Sequence, residues 1–330
     1  MEQIRLGTVG SGVIVHSVVG NLITMPGVKL EAVYSRSAEK GRALAEKLGA
    51  EKVYTDMDAF LCDPQINTVY IATPNLLHYE QAKRALLAGK HVILEKPFCT
   101  TCGCARELVE IAREKRRMLV DAVPPSFGPN FALLREKLPQ IGKLKLVMTN
   151  FSQYSSRYDL LLKGELPNIF NPALAGGCLM DLNFYNIYLN VALFGRPLEG
   201  DYYPNFYPGA ADTSGVAVLR YDGFVSQNAA AKDTWGVNFV QIEGEKGYIY
   251  ASDGSAALSE IRIVTKDAAE TLNLQDNPDR WYYEARAVAA LLLAEDRQEL
   301  DRRLDVMLDV IDTMEKLRKK AGLRFPGDEA

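Results

Sequence analysis

The sequence is short of the residues from which metal sites and disulfide frameworks are built. It contains only three histidines and five cysteines among 330 residues. An odd number of cysteines without regular spacing favours a reducing compartment. Three of them fall in Cys99-Thr-Thr-Cys102-Gly-Cys104, but zinc and iron–sulfur sites usually take four ligands, and no fourth has suitable spacing. We therefore expect no metal, and interpret the motif as small residues packing at the start of a helix.

Long apolar runs and blocks of like charge are missing as well. No stretch approaches the length that spans a membrane, and Met1 leads almost directly into the strand-like Ile4-Arg5-Leu6 without a signal peptide. The formal net charge is only -4, and no basic block is interleaved with aromatic residues. These absences predict a cytoplasmic protein that has neither a membrane nor a nucleic acid as its partner.

The length and the apolar content predict two domains. At 330 residues with 48% hydrophobic content, the chain exceeds what one core usually organises. Residues 1–122 alternate β-branched apolar runs with stretches of helical period, which is typical of a parallel sheet with right-handed crossovers. The predicted strands are Ile4 to Val9, Lys29 to Tyr34, Thr68 to Ala72, His91 to Leu94 and Met118 to Ala122. We therefore assign residues 1–122 to a doubly wound Rossmann domain and residues 123–330 to a second domain.

A glycine-rich turn follows the first predicted strand, in Gly7-Thr-Val-Gly10-Ser-Gly12-Val-Ile-Val15. Gly10 permits a tight turn, Gly12 lets the backbone approach a pyrophosphate, and the helix that follows offers free N–H groups. Val15 stands where Gly or Ala is usual. The predicted dinucleotide-binding turn is Gly10, Ser11, Gly12, Val13 and Ile14; the alternative is an ordinary loop.

The choice of dinucleotide is predicted from the end of the second strand, Tyr34-Ser35-Arg36-Ser37. NAD enzymes usually place a carboxylate there to bind the ribose 2′-hydroxyl, and this chain has none. Ser35 and Arg36, with Lys40, suit a 2′-phosphate instead, so NADP is favoured over NAD. The alternative is that Arg36 is a solvated loop residue, or stacks on adenine without discriminating.

A lysine follows the fourth predicted strand, in Glu95-Lys96-Pro97. Ligands of open parallel sheets bind outside the carboxyl ends of the strands, so Lys96 is expected to face whatever the glycine turn binds. An ammonium group there can hold a hydroxyl or carbonyl oxygen, which indicates hydride chemistry. The alternative is a surface lysine in a strand-to-helix loop.

Three segments of the first domain carry a resemblance to a known family. They are the glycine turn, Ala72-Thr73-Pro74-Asn75 with His78, and Ala88-Gly-Lys-His-Val-Ile-Leu-Glu95-Lys96-Pro97. With Ala175-Gly-Gly-Cys-Leu-Met-Asp181-Leu-Asn183-Phe-Tyr185 in the second domain, most of the chain resembles the glucose-fructose oxidoreductase, inositol dehydrogenase and MocA family. The resemblance implies that Lys96 lies beside the nicotinamide and the substrate hydroxyl, and that Asp181 and Tyr185 act on the substrate. It also implies cofactor contacts from Thr73, Pro74, Asn75, His78, Glu95 and Lys96.

Two departures from the family pattern concern the substrate. Asn183 stands where the family usually has Gly, between the Asp and the aromatic or His position. The segment after the fifth strand reads Asp121-Ala-Val-Pro124-Pro125-Ser126-Phe127 and lacks the family's arginine. Whether these differences redirect or abolish activity, and which substrate is used, stays open at the level of sequence.

The chemistry that the resemblance implies suits Asp181 and Tyr185. Residues four apart on a helix share one face, so both can address one bound molecule. Alcohol oxidation needs a proton acceptor, and a tyrosine whose pKa is lowered by a nearby ammonium such as that of Lys96 can serve. All three histidines lie in the nucleotide-binding part, which makes Tyr185 the leading acid/base. The alternatives are a core aromatic for Tyr185 and a helix-start residue for Asp181.

The second domain contains consecutive predicted strands without crossover helices. These strands are Lys143 to Phe151, Thr213 to Tyr221, Phe224 to Ala231, Asn238 to Glu243, Gly247 to Ala251 and Glu260 to Thr265. They predict an α+β domain with a mostly antiparallel, open sheet, whose free face joins a homodimer or homotetramer. Helices are expected to return at Pro278 to Glu295 and Glu299 to Ala321 and to pack back on the first domain. Aromatic pocket walls are expected from Tyr154, Tyr158, Tyr202, Tyr203 and Tyr207.

The prediction from sequence is an NAD(P)-dependent dehydrogenase or reductase, with NADP favoured, that acts on a small sugar-like, polyol, diol or carbonyl substrate. Three alternatives remain. An enzyme of the same family would use bound NAD for redox-neutral elimination or hydrolysis. A sensor would bind the dinucleotide without catalysis, and a structural or interaction protein would bind none.

Overall fold

The computed structural model describes residues 1–328 and divides the chain into two compact units. The first unit consists of Met1–Val123 and Trp281–Met307, and the second of Pro124–Arg280 and the chain from Leu308 onward. Among the described residues, no helix is long and apolar enough to cross a membrane.

The first unit contains a six-stranded parallel sheet in the order β3-β2-β1-β4-β5-β6. Its strands are β1 (Ile4–Val9), β2 (Val28–Tyr34), β3 (Lys52–Tyr54), β4 (Thr68–Ile71), β5 (His91–Glu95) and β6 (Leu119–Ala122). The helices between them are α1 (Val13–Leu22), α2 (Ala38–Leu48), α3 (Met57–Cys62), α4 (His78–Leu87) and α5 (Cys102–Glu114). The order reverses between β1 and β4, so the predicted doubly wound fold is confirmed.

The strands form where apolar residues run continuously, because both faces of a parallel sheet are covered by helices. Every residue of β5 and of β6 is buried. Side chains cap the helices that follow: Ser37 accepts a hydrogen bond from the amide of Lys40, and Thr101 accepts one from the amide of Cys104. The cysteine motif therefore lies at the start of α5, where Cys99 and Cys102 are buried.

One strand of this sheet was not predicted. Strand β3 has only three residues, too few to show a period, and it forms an edge of the sheet. The Lys52 ammonium and the Tyr54 hydroxyl both donate to Oδ2 of Asp63, at 2.7 and 2.9 Å. These polar contacts, rather than apolar pattern, hold the strand.

The second unit contains an eight-stranded sheet in the order β14-β13-β12-β11-β7-β10-β9-β8. Its strands are β7 (Leu144–Ser152), β8 (Glu199–Phe206), β9 (Asp212–Tyr221), β10 (Phe224–Ala231), β11 (Phe239–Gly244), β12 (Gly247–Ser252), β13 (Ile261–Thr265) and β14 (Ala269–Leu272). Only β7 and β10 pair in parallel, and the other six pairs are antiparallel. This confirms the predicted α+β domain with a mostly antiparallel sheet.

Helices α6 (Pro129–Lys137) and α8 (Phe184–Phe194) pack against this sheet, and the unit also contains α7 (Ser156–Leu162). The core beneath them joins Leu189 of α8 to Val147, Val240 and Ile249 of the strands. Two long helices end the chain, α9 (Arg280–Ala294) and α10 (Arg297–Lys320). Residues 281–307 group with the first unit.

The edge strands β8 and β14 were missed by the sequence prediction. The β8 sequence Glu-Gly-Asp-Tyr-Tyr-Pro-Asn-Phe is poor in strand-forming residues. It nevertheless pairs along its length with β9, and Pro204 is tolerated because an edge strand needs fewer backbone donors.

Candidate functional site

The glycine turn lies at the switch point of the parallel sheet. Gly10 has φ +117°, and a Cβ atom there would lie 2.5 Å from the carbonyl oxygen of Ala72, just after β4. Its amide donates to the carbonyl of Tyr34, at the end of β2, over 3.2 Å. Only glycine fits this position, because the turn passes directly between the ends of two neighbouring strands.

The helix that follows the turn begins without a side-chain cap. Gly12 is the N-cap residue of α1, no side chain caps its amides, and no acidic residue lies in the first turn. Gly12 and Val13 are exposed, whereas Val15 is fully buried and packs in the core. An open helix N-terminus after a glycine turn binds phosphate groups, so these residues fit a dinucleotide.

The end of β2 carries the residues that were predicted to choose between NAD and NADP. Ser35 is buried, and its hydroxyl oxygen accepts a hydrogen bond from the amide of Ser37 at 3.3 Å. Arg36 and Lys40 are exposed, and neither forms an ion pair among residues 1–328. Their positive charges are therefore available to a ligand beside the turn.

The segment after β4 is tied to the segment after β5 through His78. Its two ring nitrogens lie 2.9 Å from the carbonyl oxygen of Pro97 and 2.8 Å from that of Thr73. Burial lowers the pKa of His78, against the opposing effect of the two carbonyls. Both ring nitrogens are engaged, so we expect His78 to position Thr73 and Pro97, while Thr73, Pro74 and Asn75 are half-buried.

Lys96 lies at the carboxyl end of β5, next to β4. The carboxylate of the preceding Glu95 is buried and accepts hydrogen bonds from the Tyr70 hydroxyl at 2.7 Å and from the amide of Lys96 at 3.2 Å. The Lys96–Pro97 peptide bond is cis. The first unit thus collects the glycine turn, the segment after β4 and Lys96 along one edge of its sheet.

In the second unit, a glycine pair anchors the segment that carries Asp181. Gly177 has φ +127°, and a Cβ atom there would lie 2.1 Å from Oδ1 of Asp212. The other carboxylate oxygen of Asp212 accepts hydrogen bonds from the Leu179 amide at 2.7 Å and the Tyr202 hydroxyl at 2.6 Å. Burial raises the pKa of Asp212 to about 6. Sequence reasoning did not identify Asp212, because its partners lie far along the chain.

Asp181 lies on a π-helical turn, not on the predicted α-helix. The π-helix spans Leu179–Asn183, and α8 begins at Phe184. Such turns are rare, and they occur frequently at functional sites. Tyr185 is buried in the first turn of α8, with its ring packed edge-on against Phe151 and Phe184. A step of four residues is close to one full turn, so Asp181 and Tyr185 keep similar directions.

Asp181 has a partner that the sequence analysis missed. The buried ammonium of Lys232, just after β10, donates to Oδ2 of Asp181. The side chain of Lys232 is only 4% exposed and that of Asp181 is 28% exposed. A buried ammonium needs a counter-charge, so the pair fixes Asp181 while leaving part of its carboxylate accessible. Like Lys96, Lys232 directly follows a strand, which is the signal that was available in the sequence.

Asn183 belongs to a buried network between α8 and the sheet. The side-chain amide nitrogen of Asn183 donates to the backbone carbonyl of Asn228 at 3.1 Å. Its side-chain oxygen accepts a hydrogen bond from the side chain of Asn186 at 3.0 Å. Asn190 donates to the side chain of Asn228 at 2.7 Å. The departure from the family's glycine at this position therefore serves to attach the helix to β10.

Asp121 near the end of β6 forms a buried ion pair with α10. Asp121 is buried and receives two hydrogen bonds from Arg303 of α10, at 2.8 and 2.9 Å. Burial raises the pKa of Asp121, and the neighbouring guanidinium opposes that effect.

The predicted aromatic walls divide into two groups. Tyr158 packs edge-on against Tyr154 and Tyr207, and Tyr154 stacks on Trp235 with ring centroids 4.1 Å apart. Tyr202 instead bonds Asp212, as described above, and Tyr203 is exposed on the edge strand β8. Trp235, which is 76% exposed, was missed by the sequence analysis.

Comparison with known proteins gave matches along the chain. The model of an oxidoreductase family with an NAD-binding Rossmann fold matches residues 4–122, and the model of the GFO/IDH/MocA C-terminal domain matches residues 137–250. The chain is 31% identical to scyllo-inositol 2-dehydrogenase (NADP(+)) IolU of Bacillus subtilis, over 99% of this chain and 100% of that protein. It is 26% identical to trans-1,2-dihydrobenzene-1,2-diol dehydrogenase of Sus scrofa, over 99% of each protein.

Among solved structures, the chain resembles KijD10, a 3-ketoreductase from Actinomadura kijaniata in complex with NADP and TDP-benzene. The TM-score is 0.86 at 22% identity, over 96% of this chain and 98% of that one. This similarity shows a shared fold.

Proposed function

Because the chain belongs to the GFO/IDH/MocA family of NAD(P)-dependent oxidoreductases, we propose that it transfers hydride between NADP(H) and a sugar-like or cyclic polyol. The observation that supports this best is the uncapped start of α1 after Gly10, at the same carboxyl edge of the parallel sheet that carries Lys96. We keep residues 1–122 as the cofactor domain and residues 123–330 as the substrate domain.

In the proposed reaction, the bound dinucleotide supplies the hydride acceptor. The amides of Ser11 to Ile14 would hold its pyrophosphate, with Gly10 shaping the turn, and the Lys96 ammonium would donate a hydrogen bond to the substrate oxygen. Tyr185, in its ionised form, would accept the hydroxyl proton as the hydride leaves the same carbon for the dinucleotide, and would return that proton when the reaction runs towards the alcohol. Asp181, fixed by Lys232, accepts hydrogen bonds from further substrate hydroxyls.

The substrate class is supported by the relatives and by the exposed aromatic rings. The two relatives described above are named for acting on an inositol and on a cyclic diol. The Tyr154–Trp235 stack offers an aromatic surface of the kind that covers the apolar face of a ring substrate. A panel of inositols, aldoses and cyclic diols with NADP and with NAD, followed by the absorbance of the reduced nicotinamide, tests the proposal. Turnover without any net change in that absorbance would favour redox-neutral chemistry instead.

We expect NADPH to bind more tightly than NADH, and Arg36→Ala to remove most of that preference. Loss of a charge-assisted hydrogen bond to the 2′-phosphate should cost about 1.5 to 3 kcal/mol, a roughly 10- to 150-fold weaker NADPH complex. Fluorescence titration of both cofactors measures this. Arg42→Ala, which removes an exposed charge from α2, is the matched control. Equal affinities of the parent protein for NADPH and NADH would contradict the prediction.

We also propose a homodimer or homotetramer that forms through the open face of the second sheet. Outward side chains of neighbouring strands there include Tyr203, Val216, Val218 and Val225, which are exposed or half-exposed. Light scattering at micromolar protein should report at least twice the chain mass, and Val225→Glu should lower it, because the charge would be buried in the interface. A parent protein that is monomeric at every concentration would exclude this assembly.

The five cysteines, none of them in a disulfide, support placing the enzyme in the cytoplasm.

A further inference from the structure

A second pocket in the first unit lies at the opposite edge of the parallel sheet from the glycine turn. It has a volume of about 360 Å³ and lies between the end of α5, the start of β6 and the start of α10. Four arginines line it, Arg113, Arg116, Arg117 and Arg297, together with a single carboxylate, that of Asp301. The residues at its base are buried and apolar, among them Leu119 and Leu300.

The arginines of this pocket are unequally paired. Arg113 forms ion pairs with Asp301 at 3.0 Å and Asp305 at 3.6 Å, and Arg297 lies 3.6 Å from Glu295. Arg116 and Arg117 have no carboxylate partner among residues 1–328. Two positive charges, one on the exposed Arg116 and one on the half-buried Arg117, therefore remain without a carboxylate partner beside the apolar base.

Arg117 carries a buried donor that has no acceptor. Its Nε atom is inaccessible to solvent and forms no hydrogen bond in the described part of the chain. A buried donor without a partner is costly, and native proteins rarely leave one. The arginines also act on the neighbouring His91. Burial, with a further contribution from the positive charges of Arg117 and Arg297, lowers the pKa of His91 to about 4.

The backbone of Arg116 adopts a left-handed conformation just after α5. Its φ is +52°, in the left-handed region that commonly ends a helix, and the amide of Arg117 donates to the carbonyl oxygen of Ala112 at 2.8 Å. Arg297 donates to the carbonyl oxygen of Arg116 at 3.0 Å and so holds this turn against α10.

From these observations we propose that the arginine pocket is a binding site for a phosphorylated small molecule, separate from the cofactor site. A phosphate monoester is a dianion, which matches the two unpaired guanidinium groups, and guanidinium binds phosphate through paired hydrogen bonds. The pocket is larger than one phosphate group, and its volume lies within the range of small-molecule sites. The organic part of the ligand therefore has room beside the phosphate.

The test is calorimetric titration of the full chain with D-glucose 6-phosphate, D-glucose and inorganic phosphate, each with NADP present at saturation. Saturating NADP occupies the phosphate-binding residues of the cofactor site. We expect binding of glucose 6-phosphate, weaker binding of inorganic phosphate and none of glucose. Absence of heat with both phosphates at millimolar concentration would overturn the proposal.

Substitutions locate the site. Arg117→Gln and Arg116→Gly should each weaken the binding of glucose 6-phosphate at least ten-fold. Arg116→Gly should not disturb the fold, because glycine tolerates the positive φ. Arg106→Gln, which removes an exposed charge from α5, should leave the affinity for glucose 6-phosphate unchanged. Arg36→Ala, at the cofactor site, should leave it unchanged as well. NADPH affinity verifies that each variant is folded. Equal glucose 6-phosphate affinity in the parent and the Arg116 variant would place the ligand elsewhere.

Discussion

Tyr185→Phe is expected to lower turnover by about 10²- to 10⁴-fold, the usual contribution of a positioned proton-transfer group. The substitution removes one hydroxyl and leaves the ring packed against Phe151 and Phe184, so the first turn of α8 should keep its structure. The measurement is kcat and KM on a substrate found in the panel, with NADPH affinity and thermal stability determined alongside.

Tyr221→Phe is the matched control. The Tyr221 hydroxyl is also buried, but it has no hydrogen-bond partner among residues 1–328, and its ring stacks on Phe224. Removing it should leave turnover unchanged, because no proton is exchanged there. If Tyr185→Phe retained full turnover with unchanged folding and cofactor affinity, the proton role would pass to Lys96 or to a water molecule, and Tyr185 would be a packing residue.

Lys96→Met is expected to reduce turnover at least as strongly and to leave cofactor affinity within about two-fold. Methionine keeps much of the apolar stem but removes the ammonium that, in the proposed reaction, donates to the substrate oxygen. In the proposed complex the phosphates contact the glycine turn and not Lys96, so NADPH should still bind. Steady-state kinetics and NADPH titration separate the two effects, and Lys47→Met on the exposed side of α2 controls for loss of one positive charge.

The double variant tests whether Lys96 and Tyr185 act as a unit. Groups that serve one transition state are non-additive, so Lys96→Met with Tyr185→Phe should cost less than the product of the two single losses. A fully multiplicative loss would mean that the two residues contribute independently. If the Lys96→Met enzyme kept the turnover of the parent protein, Lys96 would instead be a surface lysine in a strand-to-helix loop.

The sequence alone was sufficient for the parts of the protein that depend on local pattern. Continuous apolar runs alternating with amphipathic stretches predict a parallel sheet, because strands covered on both faces must be apolar throughout. Glycines at the first turn predict the tight backbone that φ +117° at Gly10 then displays. Consecutive strands joined by short turns predict the antiparallel sheet, because a short turn leaves no room for a crossover helix. The short or polar edge strands β3, β8 and β14 fell outside such patterns, because pairing with a neighbour stabilises them more than their own residues do.

Only the tertiary structure identified the charged partners in the two units. Lys232 lies 51 residues from Asp181, and Arg303 lies 182 residues from Asp121. No period or spacing connects such pairs, since each forms only after distant elements have packed together. The π-helical turn under Asp181 and the network around Asn183 have the same origin. A buried polar group must find a partner wherever the fold brings one, so the identity of that partner is decided by packing and not by neighbouring sequence.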